Sequence, residues 1–156
     1  MRQRPEPDIA FMRRVHTTLR DLPNWREYPG LYWDQGVFRE VYVDRLVRTD
    51  TGEPMCETAM CFAGWAVELS PDITWAHDTM ALRSMVRNTS DSEPVVLLRA
   101  DLTTAHDSIT GEQLRAAEYA RRRLGLTHIQ ADELFGSDNS LHDLAEIIDR
   151  IEKGAL

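Results

Sequence analysis

The stretch Cys56-Glu57-Thr58-Ala59-Met60-Cys61-Phe62-Ala63-Gly64-Trp65-Ala66-Val67-Glu68-Leu69 decides how this chain folds. From Ala59 to Val67 it runs nine residues without a charge, mostly of helical propensity, with a glycine in the middle. A helix that is apolar on every side is buried on every side. The pattern therefore predicts a buried central helix over residues 57–69. Gly64 costs about 1 kcal/mol relative to alanine inside a helix, which makes sense where another backbone passes close by.

Upstream, Phe11, Val15, Leu19 and Leu22 recur at helical spacing, with Arg13, Arg14 and Arg20 elsewhere on the wheel. Pro7 and Pro23 bracket the pattern, so an amphipathic helix is expected from near Asp8 to Leu22. Trp25, Tyr28, Tyr32 and Trp33 follow, interleaved with Pro23, Pro29, Gly30 and Gly36. Such rings usually cover one edge of a core, with a binding groove as the rival reading. The β-branched run from Val37 to Arg48, stopped by Asp50-Thr51-Gly52, reads as a strand, and Val95–Arg99 as its partner. Residues 37–48 and 95–99 thus predict a small β-sheet, with Ile73-Thr74-Trp75 as a short third piece.

Downstream, Thr110 with Gln113 has the spacing of a capping box, opening a helix through Leu124 with Ala116, Ala117 and Ala120 inward. Gly125 suits the left-handed position after it. Thr127 with Gln130 repeats the capping pattern for a short helix ending near Phe135. Ser140 opens a third, with Leu141, Leu144, Ile148 and Ile151 inward. The whole predicts an α+β fold, mainly α, in a single globular domain over residues 1–156, with a C-terminal three-helix unit at 110–152.

Composition sets the function classes. At 156 residues, with 42% hydrophobic and 28% charged, a core forms without staples. Two cysteines supply no disulfide framework, no apolar run nears the ~20 residues of a membrane span, and the first ten residues lack a secretory signal's apolar stretch. The expected setting is reducing and cytoplasmic. Net charge is −8, and residues 126–156 carry seven acids against two bases. Phosphate binding needs a concentrated basic surface, so nucleic acid and anionic membrane are disfavoured and a basic protein partner is favoured. Of the 18 basic residues only Lys153 is lysine, which fits a GC-rich coding bias.

Cys61 is the candidate reactive thiol. In its plainer reading it is a small core hydrophobe. A cysteine in a helix's first turn can also be an activated nucleophile, and Cys61-Phe62-Ala63-Gly64-Trp65-Ala66 faintly echoes the Cys-Trp-Ala stretch that begins the central helix of papain-like proteases. There the Trp adjoins the Cys, whereas here it lies four positions on. His106 and Asn139 lie downstream in unremarkable contexts. A structural zinc site wants four ligands in close pairs. Cys56-x4-Cys61 would have to recruit two of His16, His77, His106, His128 and His142, which show no such spacing. Neither a metal nor a cofactor is expected. The Leu124–Thr127 turn invites a helix-turn-helix reading, but the helix after it carries Asp132 and Glu133 and no Arg or Lys. Ser137-Asp138-Asn139-Ser140 lacks the Gly and distal Glu of a calcium loop and reads better as a helix cap.

Three stretches together carry a resemblance: Trp33-Asp34-Gln35-Gly36; Cys56-x4-Cys61-x-Ala63-Gly64-Trp65-Ala66; and Leu124-Gly125-Leu126-Thr127-x-x-Gln130-Ala131-Asp132-x-Leu134-Phe135, followed by Asn139-Ser140-Leu141-x-Asp143-Leu144. In these motifs, about a third of its length, the chain resembles a family of small proteins from actinobacteria and the phages that infect them. The resemblance implies an origin and a fold but brings no catalytic or ligand-binding residues. By association it implies an accessory protein acting on a host protein, in the host cytoplasm if phage-encoded. The expected function is therefore non-enzymatic binding of another protein. A cysteine-dependent hydrolase centred on Cys61 and a helix-turn-helix-like regulator are the rivals. Candidate binding residues are Trp33, Asp34 and Gln35 in the aromatic stretch, and Asp143, Glu146 and Asp149 on the acidic face of the last helix.

Overall fold

A computed structural model describes residues 5–22, 31–36, 40–48, 54–71, 73–77, 97–98, 103–107 and 109–156. In chain order these form α1 (Ile9–Asp21), β1 (Leu31–Trp33), β2 (Glu40–Arg48), β3 (Pro54–Met60), α2 (Phe62–Glu68), β4 (Ile73–His77), β5 (Leu97–Leu98), β6 (Thr103–Asp107), β7 (Gln113–Arg115), α3 (Ala116–Arg123), α4 (His128–Leu134) and α5 (Leu141–Glu152). The class is α+β, mainly α.

The uncharged run does not begin as a helix. Residues 57–60, expected inside the central helix, belong to β3, which lies between β1 and β2 in a four-stranded sheet of order β1-β3-β2-β5. β1 runs parallel to it, with Leu31 opposite Thr58 and Trp33 opposite Met60. β2 runs antiparallel, and its register shifts between Tyr42 and Leu46. Glu57, Ala59 and Met60 are good helix formers, but propensity is a weak prior worth tenths of a kcal/mol per residue. A strand hydrogen-bonded on both sides overrides it. Cys61 adopts an extended backbone (φ −77°, ψ −176°) and turns the chain into α2. From Phe62 to Val67 every residue of α2 is buried, so the central helix is as enclosed as expected although shorter.

The expected pairing of residues 37–48 with 95–99 is present as β2 against β5, with Val41 opposite Leu98 and Tyr42 opposite Leu97. Residues 37–39, 95, 96 and 99 lie outside the described part, as do Trp25 and Tyr28. Ile73–His77 is extended as expected but joins a second sheet, of order β4-β6-β7.

A further correction concerns Thr110 and Gln113, which form no capping box. The Asp107 carboxylate accepts from the amides of Ile109 (2.8 Å) and Thr110 (3.2 Å). Gly111 takes φ +72°, and Gln113–Arg115 returns as β7 against β6. Side-chain capping of its own turn by Asp107 and a left-handed glycine make a hairpin where spacing alone suggested a helix start. α3 starts only at Ala116, with Arg115 as an uncapped boundary. The three-helix unit thus spans 116–152 instead of 110–152.

The rest of that unit forms as its caps dictate. Thr127 Oγ1 accepts from the Gln130 amide (3.2 Å), and the Thr127 amide donates to Gln130 Oε1 (3.0 Å). Ser140 and Asp143 repeat the exchange at 3.2 and 2.8 Å. Leu144, Ile147, Ile148 and Ile151 form the buried stripe of α5. Gly125 sits at φ +66° beneath the N-terminal segment, where a Cβ would stand 2.0 Å from the Glu6 carbonyl oxygen. The Asp8 amide donates to the Leu124 carbonyl at 2.9 Å beside it. Asp8 caps α1 through the Phe11 amide (3.0 Å), and Arg123 pairs with its other carboxylate oxygen at 2.9 Å. The Phe11 amide first and Arg123 second hold the Asp8 carboxyl below its ordinary pKa. Arg123 also lies 4.0 Å over the Phe11 ring. α1 packs on both α2 and α5, and α2 packs on α3, so one core joins the ends of the chain to its middle.

Candidate functional site

The Trp33–Gly36 turn and Cys61 are brought together by the parallel pairing of β1 with β3. The Asp34 amide donates to the Met60 carbonyl at 3.0 Å, carrying that ladder one step further. Gln35 then points inward with 7% of its surface exposed. Its Oε1 accepts from Trp33 Nε1 (3.0 Å) and from the Phe62 amide (3.1 Å). Its Nε2 donates to the carbonyls of Leu134 (3.3 Å) and Gly136 (3.1 Å). All four bonding positions of one amide are therefore used. They tie β1 to the first turn of α2 and to the end of α4. Gln35, a candidate binding residue, is a structural clamp with nothing left to offer a ligand.

Trp33 is half-buried against the core, with its indole N–H held by Gln35. Asp34 is exposed, and its carboxylate accepts from the Gly36 amide at 2.9 Å. Tyr32 is the outward ring of the group, 49% exposed, and its carbonyl accepts from Trp65 Nε1 at 3.1 Å.

Cys61 stands between a strand and a helix, a position where some enzymes mount a nucleophile. Its surroundings oppose that role. The residue is buried, and desolvation pushes its thiol up to about 11, while the amides of Gly64 and Ala63 pull the other way too weakly to compensate. The nearby Asp34 carboxylate adds to the rise. Thiolate chemistry needs the opposite environment, electropositive and partly open. The residues nominated as its helpers are engaged elsewhere. His106 Nδ1 lies 3.3 Å from Gln113 Nε2 in the second sheet, and Asn139 donates to the carbonyls of Glu133 (2.7 Å) and Leu134 (3.3 Å).

Comparison with known protein families, with curated proteins and with solved structures finds no match to this chain.

The acidic face of α5 is less free than its sequence implies. Asp149 pairs with Arg13 of α1 at 2.9 Å, and Glu152 pairs with the same guanidinium. Asp143 is held by Ser140, whose hydroxyl and amide lower its pKa. Glu146 faces His142 at 3.3 Å. Of the three candidates on this helix, only Glu146 is both exposed and uninvolved in holding the chain together. On α4, Gln130 and Ala131 are buried, while Ile129, Asp132 and Glu133 face outward, and Glu133 pairs with Arg150 of α5 at 3.0 Å. A recognition helix would have to present basic or amide groups there.

Among the described residues, no three His, Cys, Asp or Glu side chains converge as a metal site requires, and no helix is long and apolar enough to cross a membrane. A cleft of about 490 Å³ lies between Pro5 and Pro7, the start of α4 and the C-terminal residues. Sequence reasoning missed it. Its one signal was Ile129, an apolar residue between His128 and Gln130 that the stripe of α4 does not need.

Proposed function

We propose that this protein acts by binding another protein and performs no catalysis of its own. The observation that carries this reading is the state of Cys61: buried, desolvated and protonated at neutral pH, it is poorly suited to the one nucleophilic reaction the sequence suggests. The Phe62 amide next to it is held by the Gln35 clamp. The outward faces of the C-terminal unit carry carboxylates, and residues 126–156 sum to −5, a field that steers basic partners and repels phosphate. The three-motif likeness to small proteins of actinobacteria and their phages adds that the partner is a host or cellular protein and the site of action the cytoplasm, the host's if the protein is phage-encoded.

Two measurements test this. Native Cys61 should alkylate with iodoacetamide far more slowly than the unfolded chain, and equal or faster native labelling would put the hydrolase ahead of this reading. Pulldown from actinobacterial lysate, paired with gel shift on mixed-sequence DNA at low and moderate salt, should capture a specific protein and shift no DNA. Binding should weaken as salt rises and in Glu146→Lys, which leaves the caps and the Arg13 bridge intact. Sub-micromolar DNA binding with no protein captured would overturn the reading.

A further inference from the structure

The cleft beside α4 has an unusual lining. It draws Pro5 and Pro7 from the N-terminal segment, Ile129 and Gln130 from α4, and Ile151 and Leu156 from the end of the chain, and no lining residue has a charged side chain. Gln130 is already committed: its Oε1 accepts from the Thr127 amide and its Nε2 donates to the Leu156 carbonyl at 2.8 Å. The cleft therefore offers shape and apolar contact more than hydrogen bonds. Ile129 stands on its rim 69% exposed, one of three large apolar side chains left outside the core among the described residues. A volume of about 490 Å³ is ample for one or two side chains.

The rim carries charge. Glu6 lies between the two prolines, and Asp132 is one helical turn beyond Ile129. Both are exposed and neither side chain makes a hydrogen bond or ion pair among the described residues, unlike those of Glu133 and Glu152, which are held by Arg150 and Arg13. Lys153, next to Gly154, is the opposing cation. Two unpaired carboxylates against one ammonium, beside a segment (residues 126–156) of net −5, complement a basic group. A second copy of this chain would bring the same carboxylates against themselves.

We infer that this cleft docks a short segment of a partner protein, with an apolar side chain seated against Ile129 and the two prolines, and an adjacent Lys or Arg meeting Asp132 and Glu6. The inference rests on the protein-binding reading and gives it a place and a chemistry. Burying Ile129 and its neighbours supplies affinity, and the carboxylates supply orientation and on-rate.

Panning phage-displayed random linear peptides over the full chain tests it. Enriched peptides should share an apolar residue close to Lys or Arg. Their binding should fall roughly tenfold or more in Ile129→Asp and in Asp132→Lys. Both substituted side chains are exposed, so thermal melting should barely change, which separates a lost site from a lost fold. No enrichment, enrichment without that pattern, or binding that survives both substitutions would overturn the assignment. If Ile129→Asp still captures the lysate partner of the wild type, the cleft is wrong and protein binding stands. If neither peptide nor partner is found, both fall.

Discussion

The C-terminal helices at 116–152 and the more apolar strand-to-helix passage at 54–69 reach their structure by opposite routes. α4 and α5 are framed by reciprocal caps, Thr127 with Gln130 and Ser140 with Asp143, each complete within four residues. β3 and α2 are framed by groups 27 or more residues away in sequence, such as Gln35 bonded to the Phe62 amide, and by β1 and β2 on either side. Structure specified by neighbours in sequence survives a change in the surrounding fold. Structure specified by partners elsewhere does not.

The largest test of that contrast is Trp65→Ala. The ring is fully buried on α2, and its removal should cost about 3–5 kcal/mol in denaturant unfolding. Trp33→Ala, at the half-buried edge, should cost distinctly less, and equal losses would show that Trp33 is as central as Trp65. Next is Gln35→Ala, which orphans the buried Phe62 amide at about 1–3 kcal/mol, while the Leu134 carbonyl keeps its bond from Asn139. The signature should be faster hydrogen exchange at the start of α2 with α5 unchanged, whereas loss confined to β1 would mean that the clamp does not reach the helices.

Gly125→Ala tests a place where the C-terminal unit depends on a distant backbone. A left-handed alanine costs roughly 1–2 kcal/mol, and the clash with Glu6 should also free the Asp8 amide to exchange. Retained Asp8 protection would show that the N-terminal segment can shift and keep its bond. Thr127→Ala should cost about 1 kcal/mol, read by unfolding, and exchange should rise only in the first turn of α4. If it spreads into α2, the helices are not locally specified.

The smallest effect is one of pH. Glu118, clamped first by Arg121 (2.8 and 2.9 Å) and then by Arg122 (2.7 Å), has its pKa pulled from 4.5 down to about 2. A lowered carboxyl pKa gives stability that is fully present above about 4.5 and lost as pH falls towards 2. The melting temperature of Glu118→Gln should therefore show a shallower acid limb than wild type across that window. Identical slopes would assign the limb to other carboxylates.

Much of the mainly helical architecture was legible because its signals are local. The apolar stripe of α1, the two capping boxes and Gly125 each state their own outcome. The strand at 54–60 was not legible. Its residue types favour a helix, and only the pairing with β1 and β2, chosen by tertiary packing, makes it extended. At 110–113 two signals competed, and the Asp107 turn with Gly111 prevailed over the Thr110–Gln113 spacing. The candidate site divided in the same way. A motif drew attention to Gln35, but its role as a clamp depends on Leu134 and Gly136, about a hundred positions downstream. The cleft is assembled from both ends of the chain and α4, so no single window of sequence announces it.

The seat of α1 has a consequence for how the protein is made. Its apolar residues Phe11, Met12, Val15 and Leu19 pack towards α2 and α5, and Arg13 finds carboxylates at Asp149 and Glu152. Some 120 residues separate the end of α1 at Asp21 from the start of α5 at Leu141. At the usual pace of translation, about 5–20 residues per second, that is a wait on the order of ten seconds. Throughout it, α1 carries a stripe without its final cover. A nascent chain stalled before Leu141 therefore exposes the α1 stripe to holding chaperones or to aggregation, and α1 is sealed only when α5, made long after it, arrives.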